Sequence, residues 1–407
     1  MVVFAGGLHA LPVGALDGLR VLDLSTLFSA PQVSAMLGDW GADVVKLELP
    51  SGDPMRRVGI QRNGQSLMWA VVARNKRTVT LDLEQPEGRE LFLRFIDRAD
   101  VLVENWPVDT LARWGATWPL LSARNPRLVM VSVSGFGRTG PYAERAGAGT
   151  LAEAFAGLTH MTGEPDGPPL LPSLPVGDIL TAVSGVVGAL AACYHRDARG
   201  GIGQHVDVSM YEPVLQLLAG AVATWDRNST PPMRNGSRVA GGAPRNVYRA
   251  GDGAWLVVSA TTDPQVSRVL LLLGRDDEEH RARFARSSER IRNADALDAL
   301  VAAWIAERSR DEVLARFEAE RIPAAPVNDL AELAADPHVH ARRSLTQLED
   351  SVLGELTFVS PAPQLGGTPA QIRHTGRGLG ADNAEVYEEW LGIDASALKL
   401  LKEQGVV

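Results

Sequence analysis

One carboxylate stands apart from every other charge in its neighbourhood. In "PSLPVGDILTAVSGVVGALAACYH" (Pro172–His195), Asp178 follows Gly177 and opens an uncharged run that begins at Ile179. Two chemistries fit that place. Aspartate is a favoured residue just before a first helical turn, where its oxygen caps a backbone N–H. A carboxylate kept ionised by a helix dipole is also a nucleophile able to form a covalent intermediate. Position alone favours capping. A basic cluster, Arg74, Asn75, Lys76 and Arg77, lies in "WAVVARNKRTVTLDL" directly before a strand. It reads either as a solvated turn or as donors to phosphate oxygens. Asn105 and Arg113, in "ENWPVDTLARWG", fall at the end of another strand, the edge where open α/β sheets bind ligands. "SGFGRTGPY" (Ser134–Tyr142) supplies a glycine-rich turn at a third strand end, readable as a ligand approach or as a plain tight turn.

Other chemistries find little support. His338 and His340 have no third ligand nearby, so no metal site is expected. The first strand-to-helix turn, "LSTLFSAPQ", lacks the glycine pattern that cradles a dinucleotide pyrophosphate, and neither a P-loop nor a G-x-S-x-G elbow occurs. Cys193 is the single cysteine and sits in the apolar run, which excludes an internal disulfide, fits a cytoplasmic protein and suits an inert thiol. A net charge of −9 argues against a nucleic-acid partner. The N-terminal "MVVFAGGLHALPVGALDG" has no basic region of the kind a signal peptide needs. The run Ile179–Tyr194 is shorter than the ~18 residues of a membrane span, so a buried helix and no membrane partner are expected.

These side chains need a scaffold, and 407 residues with 45% hydrophobic and 22% charged content suffice for about two or three domains. Strand-like "LRVLDLS", "ADVVKLEL", "TVTLDL", "VLVEN" and "LVMVSVSG" alternate with helix-like "APQVSAMLGDWG" and "PEGRELFLRFIDRA". That alternation predicts an α/β fold, a Rossmann-like large domain with a mainly parallel sheet covered on both faces. After the strand "HVDVSM", a linker helix and glycine-rich loop fill residues 206–244. A smaller α+β domain follows over 245–335, with a hairpin around Gly251–Gly253 and a capping box pairing Ser309 with Glu312. The large domain spans 1–205, and residues 336–407 form a return linker whose last part, 361–407, completes it.

Taken in order, these stretches resemble the class III CoA-transferases (CaiB/BaiF type), the family of formyl-CoA transferase and of the carnitine and bile-acid CoA-transferases. The likeness rests on "LRVLDLS", "MLGDWGADVVKLELPSGDPMR", "ARNKRTVTLDL", "ADVLVENWPVDTLARWG", "NPRLVMVSVSGFGRTGPY", "TGEPDGPPLLPSLPVGD" and "GIGQHVDVSM", followed by "GDGAWLVVSA", "RIPAAPVNDL" and "LGADNAEVYEEWLG". The resemblance makes Asp178 the catalytic residue and reverses the preference for capping. It implies coenzyme A or acyl-CoA as substrate, no permanently bound cofactor, an acyl-CoA donor, a carboxylic-acid acceptor and an interlocked homodimer. Expected contacts to CoA are Phe28, Ser29, Arg74, Asn75, Lys76, Arg77, Asn105, Arg113 and Arg145, with Gly241 and Gly242 as oxyanion donors in a glycine-rich loop. This sequence departs from the pattern at Phe28, where a glutamine is usual, at Ala146, where a basic residue is usual, and in a loop shortened to "AGGAPRN". Related α-methylacyl-CoA racemases carry a His-Asp pair where this chain has Ala148 and Gly149, so a racemase or isomerase is the secondary reading. A non-catalytic CoA-binding protein is the third.

Overall fold

The first strand, β1 (Arg20–Asp23), buries Val21, Leu22 and Asp23 completely, as a strand covered on both faces must. In the computed structural model, which describes residues 14–239 and 241–407, β1 lies inside a six-stranded sheet. The N-terminal stretch read above for a signal peptide falls, up to residue 13, outside the described residues. The other strands are β2 (Asp43–Glu48), β3 (Lys76–Thr80), β4 (Val101–Glu104), β5 (Val129–Ser134) and β6 (His205–Ser209). Their order is β3-β2-β1-β4-β5-β6, and every neighbouring pair is parallel. This is the doubly wound order, in which the winding reverses between β1 and β4 and ligands bind beyond the carboxyl ends of the strands there. The basic cluster read as a turn before the third strand is partly inside it, because Lys76 and Arg77 are strand residues.

Alternate residues of the sheet feed two cores. Leu22, Val45, Val79 and Leu102 pack with Phe92 and Phe95 of α2 (Pro86–Ile96) and with Tyr387 and Trp390 of α5 (Asn383–Leu391). Val21, Val44, Val103 and Val131 pack with Val33 and Leu37 of α1 (Ser29–Asp39) and with Ala182, Val186 and Ala189 of α4 (Val176–Ala198). α4 is longer than the expected Ile179–Tyr194, reaching back past Asp178, and is long and apolar enough by composition to cross a membrane. Its inner face is instead part of the second core, as in the core helix of a globular domain.

The chain divides into two units. One holds the described residues up to Leu158 with Pro172–Thr224 and His340–Val407, the other Thr159–Leu171 and Trp225–Val339. The return segment of the first unit contains an antiparallel hairpin, β10 (Leu345–Asp350) with β11 (Gly354–Val359), that the sequence reading did not assign. The second unit has a three-stranded antiparallel sheet of β7 (Arg245–Arg249), β8 (Trp255–Ser259) and β9 (Ala324–Pro326). There buried Asp298 accepts hydrogen bonds from Tyr248 (2.6 Å), Asn246 (2.9 Å) and Arg238 (2.6 Å), fixing both shoulders of the glycine-rich stretch. Ser309 caps its helix by accepting the Glu312 N–H at 3.3 Å, but the reciprocal half of the expected box is missing. The Glu312 carboxylate pairs with Arg316 at 3.0 Å instead.

Between the carboxyl end of β1, the interior of β2 and the amino end of β3 lies a buried ion network. Lys76 Nζ donates to Asp23 Oδ2 and to the Pro31 carbonyl, each at 2.7 Å, and Lys46 Nζ lies 3.1 Å from Asp53 Oδ2 and 3.8 Å from Asp23 Oδ1. Ser34 of α1 donates to the same Asp23 at 2.6 Å. Burial alone would raise the Asp23 pKa, but the Lys46 and Lys76 ammoniums hold it at about 2. Burial outweighs the pull of Asp23 on Lys76 and brings that ammonium down to about 8. Removing one partner of a buried pair leaves an uncompensated charge and costs ~3–5 kcal/mol. Asp23→Ala, which strips the shared carboxylate from two ammoniums, should therefore lower stability to urea by about that amount and by more than Lys76→Met. Equal losses in the two variants would show that Asp23 does not serve both lysines.

Candidate active site

Asp178 is the third residue of α4 and does not cap it. The residue before the helix is Pro175, and no side-chain cap is formed locally. The cap comes from another helix: Glu153, on α3 (Gly149–Phe155), accepts the Gly177 N–H through Oε1 at 2.8 Å. Glu153 is completely buried, and among the described residues its Oε2 has no hydrogen-bond partner. Asp178 itself is half-buried, and its two carboxylate oxygens accept no hydrogen bond within the described residues. Burial, and after it the negative charge of Glu153, raises its pKa to about 6. No cation opposes that rise, so burial and like charge outweigh the helix dipole expected to keep this group ionised.

Glycines make the close approach possible. A Cβ on Gly149 would coincide with the Asp178 carboxylate, and one on Gly177 would meet the Gly149 carbonyl oxygen at 2.8 Å. From the other side Ser29, at the start of α1, donates its hydroxyl to the Asp178 carbonyl at 3.1 Å. The same loop carries Leu27 at φ 68°, a left-handed conformation that costs a non-glycine residue ~1–2 kcal/mol. It is held there by Asp53, whose Oδ1 accepts the Leu27 N–H at 3.1 Å. The "SGFGRTGPY" turn is clamped by Arg138, which donates to buried Glu104 at 2.7 Å and to the Trp106 carbonyl at 2.9 Å.

At the reversal point between β1 and β4, Asn105 accepts the Thr26 N–H at 2.8 Å and donates to the Thr26 carbonyl at 2.9 Å. Beside this bridge is a cleft of about 120 Å³ lined by Thr26, Lys46, Asp53, Arg57 and Trp106 among others.

The sequence-selected residues fall into three groups. Asp178 and Ser29 meet at the first turn of α4. The basic cluster, expected to contact CoA, has its side-chain donors engaged within the protein. Lys76 is fully buried against Asp23, and Arg74 is held by Asp39 at 2.7 Å and Gln32 at 3.0 Å. Asn75 binds Asp39 at 2.8 Å and the Arg373 N–H at 2.7 Å, while Arg77 pairs with Asp43 and Glu389, each at 2.6 Å. Their donors are occupied in joining the sheet to α1 and the C-terminal segment. Asn105 is likewise engaged by Thr26, so it shapes the reversal point with both of its polar atoms. Phe28 packs with Met55, Trp69 and Val72, an apolar role in place of the polar contact its usual glutamine would make.

Arg113 and Arg145 stay exposed. Arg113 is 3.6 Å from Glu84, and Arg145 stacks over the Tyr142 ring at 3.6 Å without an acidic partner among the described residues. Gly241, at φ 90°, and Gly242 lie in the second unit. Sequence reasoning missed Glu153, Arg138 and Arg57. Nothing in the sequence around Glu153 signals its burial, whereas Arg57 had a usable signal in the "GDPMRR" loop after the second strand.

The comparisons with known proteins agree with this fold. The model of CoA-transferase family III matches residues 16–383. The chain is similar to succinyl-CoA–D-citramalate CoA-transferase of Chloroflexus aurantiacus, at 37% identity over 97% of this chain and 99% of that protein. It is 32% identical to succinate–glutarate CoA-transferase of Agrobacterium fabrum, over 94% of this chain and 97% of that one. The crystal structure of a CaiB/BaiF family protein from Brucella suis superposes with a TM-score of 0.81 and 31% identity, over 93% of this chain and all of that one. Relatives and architecture coincide, and the chain belongs to CoA-transferase family III, enzymes that move coenzyme A between an acyl-CoA thioester and a carboxylate.

Proposed function

We propose that this enzyme passes CoA from succinyl-CoA, or a similar dicarboxylic acyl-CoA, to a second dicarboxylic acid through covalent intermediates on Asp178. The observation that carries the reading is a half-buried carboxylate whose oxygens are engaged by no donor and paired with no cation. Such a group is free to attack. An Asp178 oxygen bonds to the thioester carbonyl carbon, the C–S bond breaks, and its electron pair leaves as CoA thiolate. The thiolate attacks the Asp178 carbonyl of the resulting anhydride, releasing the donor acid and leaving an aspartyl-CoA thioester. The acceptor carboxylate attacks that thioester, forming a second anhydride and thiolate. Thiolate attack on the acceptor's acyl carbon gives the new acyl-CoA and restores the Asp178 carboxylate.

No step requires a proton transfer, which suits a site whose nucleophile has no histidine or lysine acting on it among the described residues. The similar proteins named above act on succinyl-CoA, citramalate and glutarate, which supports dicarboxylic substrates here.

The nucleotide end of CoA is assigned to the cleft at the β1–β4 reversal, where Arg57 offers a guanidinium with no acidic partner among the described residues. Arg113 and Arg145 are the other exposed donors for phosphate oxygens. A homodimer suits α4, whose outer face exposes Ile179, Val183, Val187 (61%) and Tyr194 (64%) at helical spacing. A second copy of this chain would cover that stripe. The racemase reading loses its chemistry, because Ala148 has no ionisable group and Gly149 has no room for one against Asp178.

Asp178→Asn should abolish transfer while raising the melting temperature at pH 7–8. The folded carboxyl holds its proton up to about pH 6, against an ordinary value of 3.8. Its ionised form therefore costs stability that appears as pH rises through that window and persists above it. An asparagine variant that melts lower than wild type at pH 8 would contradict the raised pKa. In heavy water, wild type given succinyl-CoA and a free dicarboxylic acid should form new acyl-CoA by mass without deuterium at the α-carbon. Deuterium uptake at turnover rates without transfer would replace the transferase reading by the racemase. Arg57→Ala and Arg145→Ala should each raise KM for acyl-CoA several-fold with little change in kcat. Unchanged KM in both would place CoA elsewhere.

A further inference from the structure

We propose that Glu153 is a positioning residue of the transfer reaction, holding the peptide that presents Asp178 and using its own buried negative charge to drive acylation of that aspartate. The inference rests on the covalent reading of Asp178 above. Three observations support it. Glu153 is completely buried, yet only one of its oxygens is satisfied, by the Gly177 N–H at 2.8 Å. The second oxygen, Oε2, is enclosed without a partner, an arrangement a fold does not keep for stability, since an unmet buried acceptor costs free energy. Finally, Gly149 brings the start of the same helix against the Asp178 carboxylate, so both acidic groups lie where α3 meets the first turn of α4.

Neighbouring charges leave Glu153 as the effective one. On α1, Asp39 is paired with Arg74, and Ser29 contributes only a hydroxyl to the Asp178 carbonyl. On β6, Asp207 accepts the Arg138 N–H at 2.8 Å and His205 bonds Ser132. The helix Tyr211–Leu217 offers Glu212, bound to Ser209 at 2.6 Å, and the Tyr211 phenol. The ionisable residues of α4 itself, Cys193 to Asp197, are at its far end.

Acylation and protonation have the same electrostatic consequence. Forming the Asp178 O–C bond removes the carboxylate's negative charge, and the electron pair of the broken C–S bond departs on sulfur. Repulsion from Glu153 thus burdens the free enzyme and is relieved in each covalent intermediate. The raised pKa of Asp178 expresses the same preference toward a proton.

Glu153→Gln keeps an oxygen for the Gly177 N–H but removes the charge. In this variant the acid limb of kcat/KM should move from near pH 6 to lower pH by about one unit, equivalent to about a tenfold weaker hold on the proton. Incubated with succinyl-CoA alone, it should show several-fold less aspartyl-CoA adduct by intact-protein mass than wild type. Glu153→Asp keeps the charge on a shorter arm, so its limb should remain near pH 6 while kcat falls. An unmoved limb and unchanged adduct in Glu153→Gln, with a normal adduct in wild type, overturn the role of Glu153 alone. No adduct on wild-type Asp178 overturns the covalent reading and this proposal with it. Should Glu153→Gln not fold, Glu153→Asp decides: a displaced limb with normal kcat overturns the proposal.

Discussion

The shared carboxylate of Asp23 is the constraint on which the rest depends. It sits at the end of the first strand, fully buried, and collects Lys76 from β3, Ser34 from α1 and, more distantly, Lys46 from β2. Three strands and a helix are therefore aligned by one anion in a medium that penalises leaving any of those groups unpaired. α1 is fixed at its beginning because Lys76 also takes the Pro31 carbonyl. With α1 fixed, Ser29 reaches the Asp178 carbonyl across the start of α4. The line from an interior ion pair to Asp178 is thus two contacts long.

The arrangement around Asp178 resolves a competition between structure and chemistry. A helix N-terminus needs acceptors for its first N–H groups, and the local candidate in the sequence was Asp178 itself. Had it bent back to cap, its oxygens would have been occupied. Glu153 supplies the acceptor from a distant segment, and the small Gly149 allows α3 to come close enough to do so. Asp178 is left with neither a hydrogen-bond donor nor a cation on its carboxylate, a local cost in stability met by the two large cores on either side of the sheet.

Basic residues divide in the same manner. Those nearest the sheet are consumed internally: Lys76, Arg74 and Arg77 each meet a carboxylate at 2.7 Å or less. Those beyond the strand ends, such as Arg57, Arg113 and Arg145, extend to solvent. Depth along the strand separates a structural cation from one available to a phosphate, because a cation beneath the sheet edge must be neutralised by the protein.

Much of this was legible in the chain as written. Alternating apolar strands and amphipathic helices fix a parallel sheet, since strands buried on both faces must be apolar throughout, whereas the lone Asp178 after Gly177 read by position as a cap and only by family resemblance as a nucleophile. Segment type follows from local composition, which needs no knowledge of neighbours. The partners of each charge do not. Whether Lys76 met a ligand or Asp23, 53 residues earlier, depended on the order in which strands lie side by side. Whether Asp178 capped its helix depended on Glu153 arriving from 24 residues away to take the Gly177 N–H in its place. Charge and hydrogen bonding act over a few ångströms of space, and only the folded chain decides which residues share them.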